Sequence, residues 1–321
     1  MSEAETSTDQ TAPAAADERA ESSGDLGEQL ARARAEIDHL KAELSDLNLL
    51  YEATIAHGEA VEDQLAENNT LLEQTQARLA EELQDATRYV MSILPEPRKA
   101  DPETDWLLIP STELGGDSFG HHDIDEDHFA IYLLDVCGHG VGAALLSIAV
   151  INVLRACALP EADFKDPAAV LTALNNAFPM EKQNNMFFTI WYGVYRRSTG
   201  TLRCASGGHP PSIHLRPDGD GKRIARAIPE VGGMAMGAIE DMDYECEEIA
   251  ILPGDRLLVL SDGTFEIGVP GEEPAMLSYE DLVAFTLVGE GDRPSSVLDW
   301  VRSLHGEGPL PDDFSLLRVQ F

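Results

Sequence analysis

Basic residues are scarce in this chain. Its 321 residues include 22 Lys and Arg against 58 Asp and Glu, a formal net charge of −36. That balance excludes nucleic acid as a partner, because phosphate backbones are held by basic patches, and it excludes an anionic membrane surface. It suits a partner with a basic surface. Cysteine is scarce as well: Cys137, Cys157, Cys204 and Cys246 lie far apart, without the spacing of a metal site, and are expected to be reduced thiols in a cytoplasmic protein. Long apolar runs are also missing. The one stretch near membrane length, Val141 to Leu159, is interrupted by Asn152 and Arg155, so it is expected to be a buried core helix and not a span. Residues 1–25 hold neither a basic n-region nor a hydrophobic h-region, so no signal peptide is expected. Their Ala, Glu, Asp, Ser and Thr bury too little surface to offset ordering, and they are expected to be disordered.

What the chain does have begins with a seven-residue repeat from Leu30 to Ile93. Its a positions start with Leu30, Ile37, Leu44 and Tyr51, and its d positions with Ala33, Leu40 and Leu47. So sustained a period predicts a coiled coil over residues 26–94 and a parallel homodimer. The seam then deteriorates at Gly58, Asn68, Thr75, Glu82 and Ala86, which fits either a segment able to rearrange or a loose solvated helix, with Gly58 costing about 1 kcal/mol per helix relative to Ala. Pro95 and Pro97 must end the helix. A folded domain over 95–321 is expected beyond them, and 43% hydrophobic composition supplies its core.

That domain is organised around Leu134-Asp135-Val136-Cys137-Gly138-His139-Gly140. The preceding run Phe129 to Leu134 is short, apolar and β-prone, so it is expected to be a buried strand ending at Asp135. A carboxylate beside that much apolar surface must be paired, protonated or bound to a metal. Upstream, Asp123 to His128 forms a polar turn. If its tip is centred near Glu126, Asp117 and Asp135 sit opposite each other on an antiparallel hairpin, with Cβ atoms ~4.5–5.5 Å apart. A divalent cation would turn their repulsion into coordination, and hard oxygen ligands suit magnesium or manganese. A tip displaced by one residue would instead put them on opposite faces.

Two further apolar runs carry aspartates at one end. Asp255 to Leu260 leads into Ser261-Asp262-Gly263, and Asp312-Asp313 opens Phe314 to Val319. Taken in order, Gly115-Gly116-Asp117, the Asp135 to Leu145 stretch, Ser261-Asp262-Gly263-Thr264 and Asp312-Asp313-Phe314-Ser315 closely resemble the motif series of the metal-dependent type 2C (PPM) serine/threonine phosphatases. They look most like the SpoIIE/RsbU-like bacterial branch. Asn185 to Ile190, Gly200-Thr201-Leu202 and Ala205-Ser206-Gly207-Gly208-His209-Pro210-Pro211 also fit that branch.

The resemblance implies an α+β fold in which two antiparallel β-sheets are sandwiched between helices, preceded here by the long coiled-coil helix. It implies two Mn2+ or Mg2+ ions held by Asp117, Asp135, the Val136 backbone carbonyl, Asp262 and Asp312, with Asp313 and Gly116 in the outer shell. Asp135 and Asp117 are then catalytic through direct hydrolysis by water activated between the cations, and Cys137 is a turn filler and not a nucleophile. Relatives outside the branch place a general-acid histidine where Cys137 stands; His139 follows two positions later and is the candidate catalytic histidine here. His209 is read as structural. The implied substrate is a phosphorylated protein of the anti-sigma-factor-antagonist type in a partner-switching pathway, with an upstream regulatory protein acting on the coiled coil. A pseudophosphatase serving as a dimeric binding module is the rival reading, and the complete set of aspartates argues against it.

Overall fold

The computed structural model describes residues 14–111, 114–160, 162–219, 222–270, 275–306 and 308–321, with side chains from Leu26 onward. The chain divides into two compact units, residues 1–78 and 79–321.

Helix α1 spans Ala14–Ile93. It begins upstream of the expected boundary at residue 26 because Ala14 to Ala16 are strong helix formers that need no burial to turn; residues 1–13 of the tail read as disordered lie outside the described residues. Within the first unit the early heptad residues form an uncovered apolar stripe: Leu30, Ile37, Leu40, Leu44 and Leu47 are each 50–61% exposed. Farther along, the polar seam residues satisfy themselves. The Thr54 and Thr75 hydroxyls donate to the Leu50 and Leu71 carbonyls one turn back, and Gln64 donates to Asn68. Such back-bonding weakens and bends a helix slightly.

The second unit carries two antiparallel five-stranded sheets. In chain order its strands and helices are β1 (Glu103–Ile109), β2 (Ser118–Asp123), β3 (His128–Val136), α2 (Val141–Arg155), α3 (Pro167–Ala177), β4 (Phe188–Arg196), β5 (Thr201–Gly207), β6 (Ser212–Pro217), β7 (Arg223–Ile228), β8 (Glu247–Ala250), β9 (Arg256–Leu260), β10 (Gly268–Val269), β11 (Ala275–Met276), α4 (Tyr279–Thr286), α5 (Pro294–His305) and β12 (Phe314–Gln320). One sheet runs β2-β3-β4-β5-β8, the other β1-β12-β9-β6-β7, and β10 pairs with β11 alone.

Both faces of β3 are buried, as its unbroken apolar run requires. Phe129, Ile131 and Leu133 point between the sheets, where they meet Leu257, Val259, Leu317 and Val319. Ala130, Tyr132 and Leu134 face α2 and α3, whose Leu146, Val150, Ile151, Leu171 and Leu174 cover that side. Helices α4 and α5 cover the outer face of the second sheet through Leu282, Val297 and Val301. The layers are therefore helix, sheet, sheet, helix. The last residues of α1 belong to this unit: Met91 and Leu94 pack into the core between the sheets, and the Arg155 guanidinium at the end of α2 donates to the Ile93 carbonyl.

Several local expectations need correction. Strand β3 continues one residue past Asp135, because Val136 still pairs with Phe188 on β4. Strand β8 begins three residues after Tyr244, which is itself a buried ring under β5. Strands β7, β10 and β11 carry too little apolar alternation to be predicted. The candidate apolar stretch from Val141 is α2, a core helix, and no helix among the described residues is long and apolar enough to cross a membrane.

Candidate active site

The β2–β3 register settles where two of the aspartates go. Ser118 pairs with Leu134 and Asp123 with Phe129, so the hairpin tip falls at Glu126. The same register, one step beyond the end of β2, sets Asp117 against Asp135. Asp262 follows β9 on a short 3-10 turn, and Asp312 precedes β12. Since β9 and β12 are neighbours, the pairing of Leu260 with Leu316 brings those two carboxylates to one end of the second sheet. Asp135, Asp262 and Asp312 line a single open cavity of about 390 Å³, together with Cys137, His139 and Thr189.

Asp117 sits behind that cavity, 5% exposed, and its Oδ2 is buried without a hydrogen-bond partner. Burial, followed by the charges of Asp135 and Asp313, holds its carboxyl well above the usual range. Asp135 is pushed up to about 7, by burial first and then by Asp262, Asp312 and Asp313, while a hydrogen bond with Asp117 opposes the shift. Asp262 is raised by burial and by Asp312. Each carboxylate is thus disfavoured as an anion chiefly by losing water and next by its neighbours. A cation between them would remove both penalties.

Asp313 has a different part. Its Oδ1 accepts from the Ser111 backbone N–H at 2.8 Å and the Ser111 hydroxyl at 3.0 Å, and its Oδ2 accepts from the Asp117 N–H at 3.3 Å. It ties the segment between β1 and β2 to the start of β12. The backbone is pressed tightly here: a Cβ on Gly115 would lie 2.0 Å from the Asp313 carboxylate, one on Gly116 would lie 2.4 Å from the Val136 carbonyl, and one on Gly263 would lie 2.1 Å from the Asp313 carbonyl. Glycine is required at all three by close approach.

Among the described residues no three such side chains close on one ion position. The residues nonetheless fit hard divalent cations: the donors are all oxygen, they repel one another, and one of them is orphaned. Gly263→Ala gives a direct check on how this cradle is held. The methyl group would force the Asp262 turn away from Asp313, and a misplacement near 1 Å costs on the order of 10²-fold in rate. We expect that loss at limiting Mn2+, with partial recovery as Mn2+ is raised; a variant indistinguishable from wild type in a metal titration would show that the turn has room to spare.

His139 lies exposed at the cavity mouth after β3. Cys137, expected as a buried filler, is half-buried and lines the cavity; its Sγ accepts from the Phe187 N–H at 3.2 Å, which holds β4 against the turn. Sequence reasoning assigned no role to Ser111 or Thr189. The second was within reach, since it belongs to the Asn185 to Ile190 stretch and pairs with Asp135; the first had no signal, because only the folded chain brings Ser111 to Asp313.

A family model described as Stage II sporulation protein E (SpoIIE) matches residues 125–321. Phosphoserine phosphatase RsbU of Bacillus subtilis is 25% identical over 279 residues, covering 84% of this chain and 78% of that protein. Phosphoserine phosphatase RsbP of the same organism is 25% identical over 187 residues, covering 58% of this chain and 45% of that protein. Among solved structures, the SiaA-PP2C domain of Pseudomonas aeruginosa superposes with a TM-score of 0.64 at 19% identity, covering 77% of this chain and 98% of that one.

Proposed function

Because the chain belongs to the SpoIIE family and is a protein serine/threonine phosphatase of the PP2C type, we propose that it hydrolyses phosphoserine or phosphothreonine on an anti-sigma-factor-antagonist type of protein, in a cytoplasmic partner-switching pathway. The observation that carries the chemistry is that Asp135, Asp262 and Asp312, from three separate stretches, line one cavity with Asp117 buried behind Asp135. Asp135, opposite Asp117 and facing the Asp262–Asp312 arm, would hold the cations together with those three carboxylates. The Val136 carbonyl, pressed against Gly116, is the backbone ligand beside it.

Two Mn2+ or Mg2+ ions, when bound, supply an activated water and neutralise phosphoryl charge. The chain supplies the rest. Its aspartates orient that water for in-line attack, Asp313 fixes the arm carrying Asp312, and the open cavity admits a side chain on a folded partner. His139 at the mouth is the candidate to protonate the leaving oxygen. The charge of the chain favours phosphosites set in a basic surface.

The uncovered stripe on α1 supports a parallel homodimer. Ile37 at an a position with Leu40 and Leu47 at d positions favours two strands, and an upstream regulatory protein acts on the weak part of the seam. The substrate assignment is tested by comparing phosphoproteomes with and without the gene. One serine or threonine on a small antagonist protein should gain phosphate in the deletion, and the purified chain should remove it in vitro. Accumulation only of phosphohistidine, phosphotyrosine or small-molecule phosphates would overturn the assignment.

A further inference from the structure

In a chain dominated by acids, the surface on one side of the cavity mouth is apolar. Val141 and Leu145 stand one turn apart on α2, 50% and 65% exposed, although Ala144, Leu146 and Val150 on the same helix are buried. Residues four apart are neighbours on a helix surface, so the two side chains make one patch. The first turn of α2 carries no acidic residue, while the chain has 58 of them and helix starts favour carboxylates. Nothing charged on that turn stands against an incoming phosphoryl group.

Phe187 carries the patch to the cavity. It is 40% exposed and lines the cavity together with Asp135, Asp312 and His139. Its main chain is fixed to the catalytic turn by two hydrogen bonds: the Cys137 N–H donates to the Phe187 carbonyl at 3.0 Å, and the Phe187 N–H donates to Cys137 Sγ at 3.2 Å. Met186 joins this segment to the helix. A Cβ on Gly142 would lie 3.7 Å from its Sδ, and the thioether packs on the core that α2 covers. Single exposed apolar residues are ordinary, whereas adjoining ones mark a surface that another molecule covers.

Continuity with the cavity decides which molecule. A second copy of the chain seated over Phe187 would close the mouth through which a phosphoryl group must enter, which argues against a contact between subunits. A small phosphate ester needs only the cavity. A protein substrate must also lay the residues around its phosphoserine on the rim, where an apolar side chain gains by leaving water. We propose that Val141, Leu145 and Phe187 form a docking shelf for an apolar side chain standing beside the phosphoserine of the protein substrate. The inference rests on the hydrolase reading above and gives that site a rule for selecting its substrates.

The test uses the full chain at saturating Mn2+ with two synthetic phosphoserine peptides of equal length and charge, one with leucines flanking the phosphoserine and one with serines in their place. The wild type should prefer the leucine peptide on the order of 10-fold in kcat/KM, the low end of what apolar contacts contribute to specificity. Leu145→Ser should abolish most of that preference, and Leu145→Met should keep most of it. Turnover of an aryl phosphate, too small to reach the shelf, reports on the aspartates in each variant. Equal kcat/KM of the wild type for the two peptides overturns the proposal. So does a Leu145→Ser enzyme that loses activity on both peptides and the aryl phosphate in parallel while the preference survives, since the residue then only supports the turn. A smaller particle for Leu145→Ser in light scattering would make the patch a contact between copies and would also reject the shelf. Asp135→Asn assayed alongside keeps the two readings apart: if it hydrolyses the aryl phosphate, the hydrolase reading fails, and if it is inactive while the wild type shows no preference, only the shelf falls.

Discussion

Asp135→Asn should abolish turnover while leaving the metal-free protein more stable at neutral pH. The first effect follows from position. Asp135 lies between Asp117 on one side and Asp262 and Asp312 on the other, so on the proposed mechanism its loss removes a carboxylate that would hold the cations. Bound cations would contribute several kcal/mol of charge stabilisation, and losing this ligand should lower kcat on the order of 10³-fold or more. Chelation of the wild type should do the same, and Mn2+ or Mg2+ should reverse it.

The second effect follows from the carboxyl's displaced titration. Its folded value is about 7, above the ~3.9 of an unfolded aspartate. The metal-free fold therefore holds a proton that the unfolded chain releases. That contribution is complete below the unfolded value and is lost as pH rises through about 7. Asp135→Asn removes the charge and the loss with it. Melting of the metal-free wild type should thus decline between pH 5 and 8 and that of the variant should decline less, at about 2–4 °C per kcal/mol for a domain of this size. Chelator-resistant wild-type activity, or full activity in Asp135→Asn, would end the metal-hydrolase mechanism.

How much of this was legible beforehand depended on whether a feature is local or assembled. The hairpin was readable because the polar Asp123–His128 turn lies between two β-prone runs, and counting outward from Glu126 gives the observed pairs. Helices α4 and α5 announced themselves through the Ser278–Asp281 capping box and Pro294. The edge strand β7 did not, since its RIARAI run sets Arg223 and Arg226 three apart, breaks the period of two, and gains its register from β6. At the site, the ordered Asp–Gly and Asp–Asp motifs identified which carboxylates to consider. What no motif contained was the division of labour between Asp312 and Asp313, which comes from three hydrogen bonds made across the fold by Ser111 and Asp117.

Control of activity should depend on the pairing state of α1. Leu30, Ile37, Leu40, Leu44 and Leu47 expose more apolar surface than a lone soluble helix tolerates, and pairing with a second copy, as proposed, would cover them. Beyond Tyr51 the seam loses its grip: a side chain on Gly58 would meet nothing within 4 Å, and Thr75 bonds to its own helix. A partner protein binding this weak segment has only a small free-energy gap to overcome in repairing or opening it. Within the second unit the route onward is visible. The final residues of α1 pack through Met91 and Leu94 between the sheets, and Arg155 joins Ile93 to the C-terminal end of α2. The other end of α2 begins at Val141, directly after the catalytic turn. A shift of α1 therefore bears on the turn that holds Asp135 through a single helix. Filling the seam with Gly58→Leu, Asn68→Leu, Thr75→Leu and Glu82→Leu should lock one state and change phosphoprotein turnover several-fold, while light scattering still reports a dimer. Arg155→Ala in that background should bring turnover back toward the unlocked value. Removal of residues 1–78, which spares Met91 and Leu94, should give a monomer with altered basal activity. A monomeric full-length protein, or stiffened and truncated chains matching the wild type in turnover, would reduce the helix to a tether.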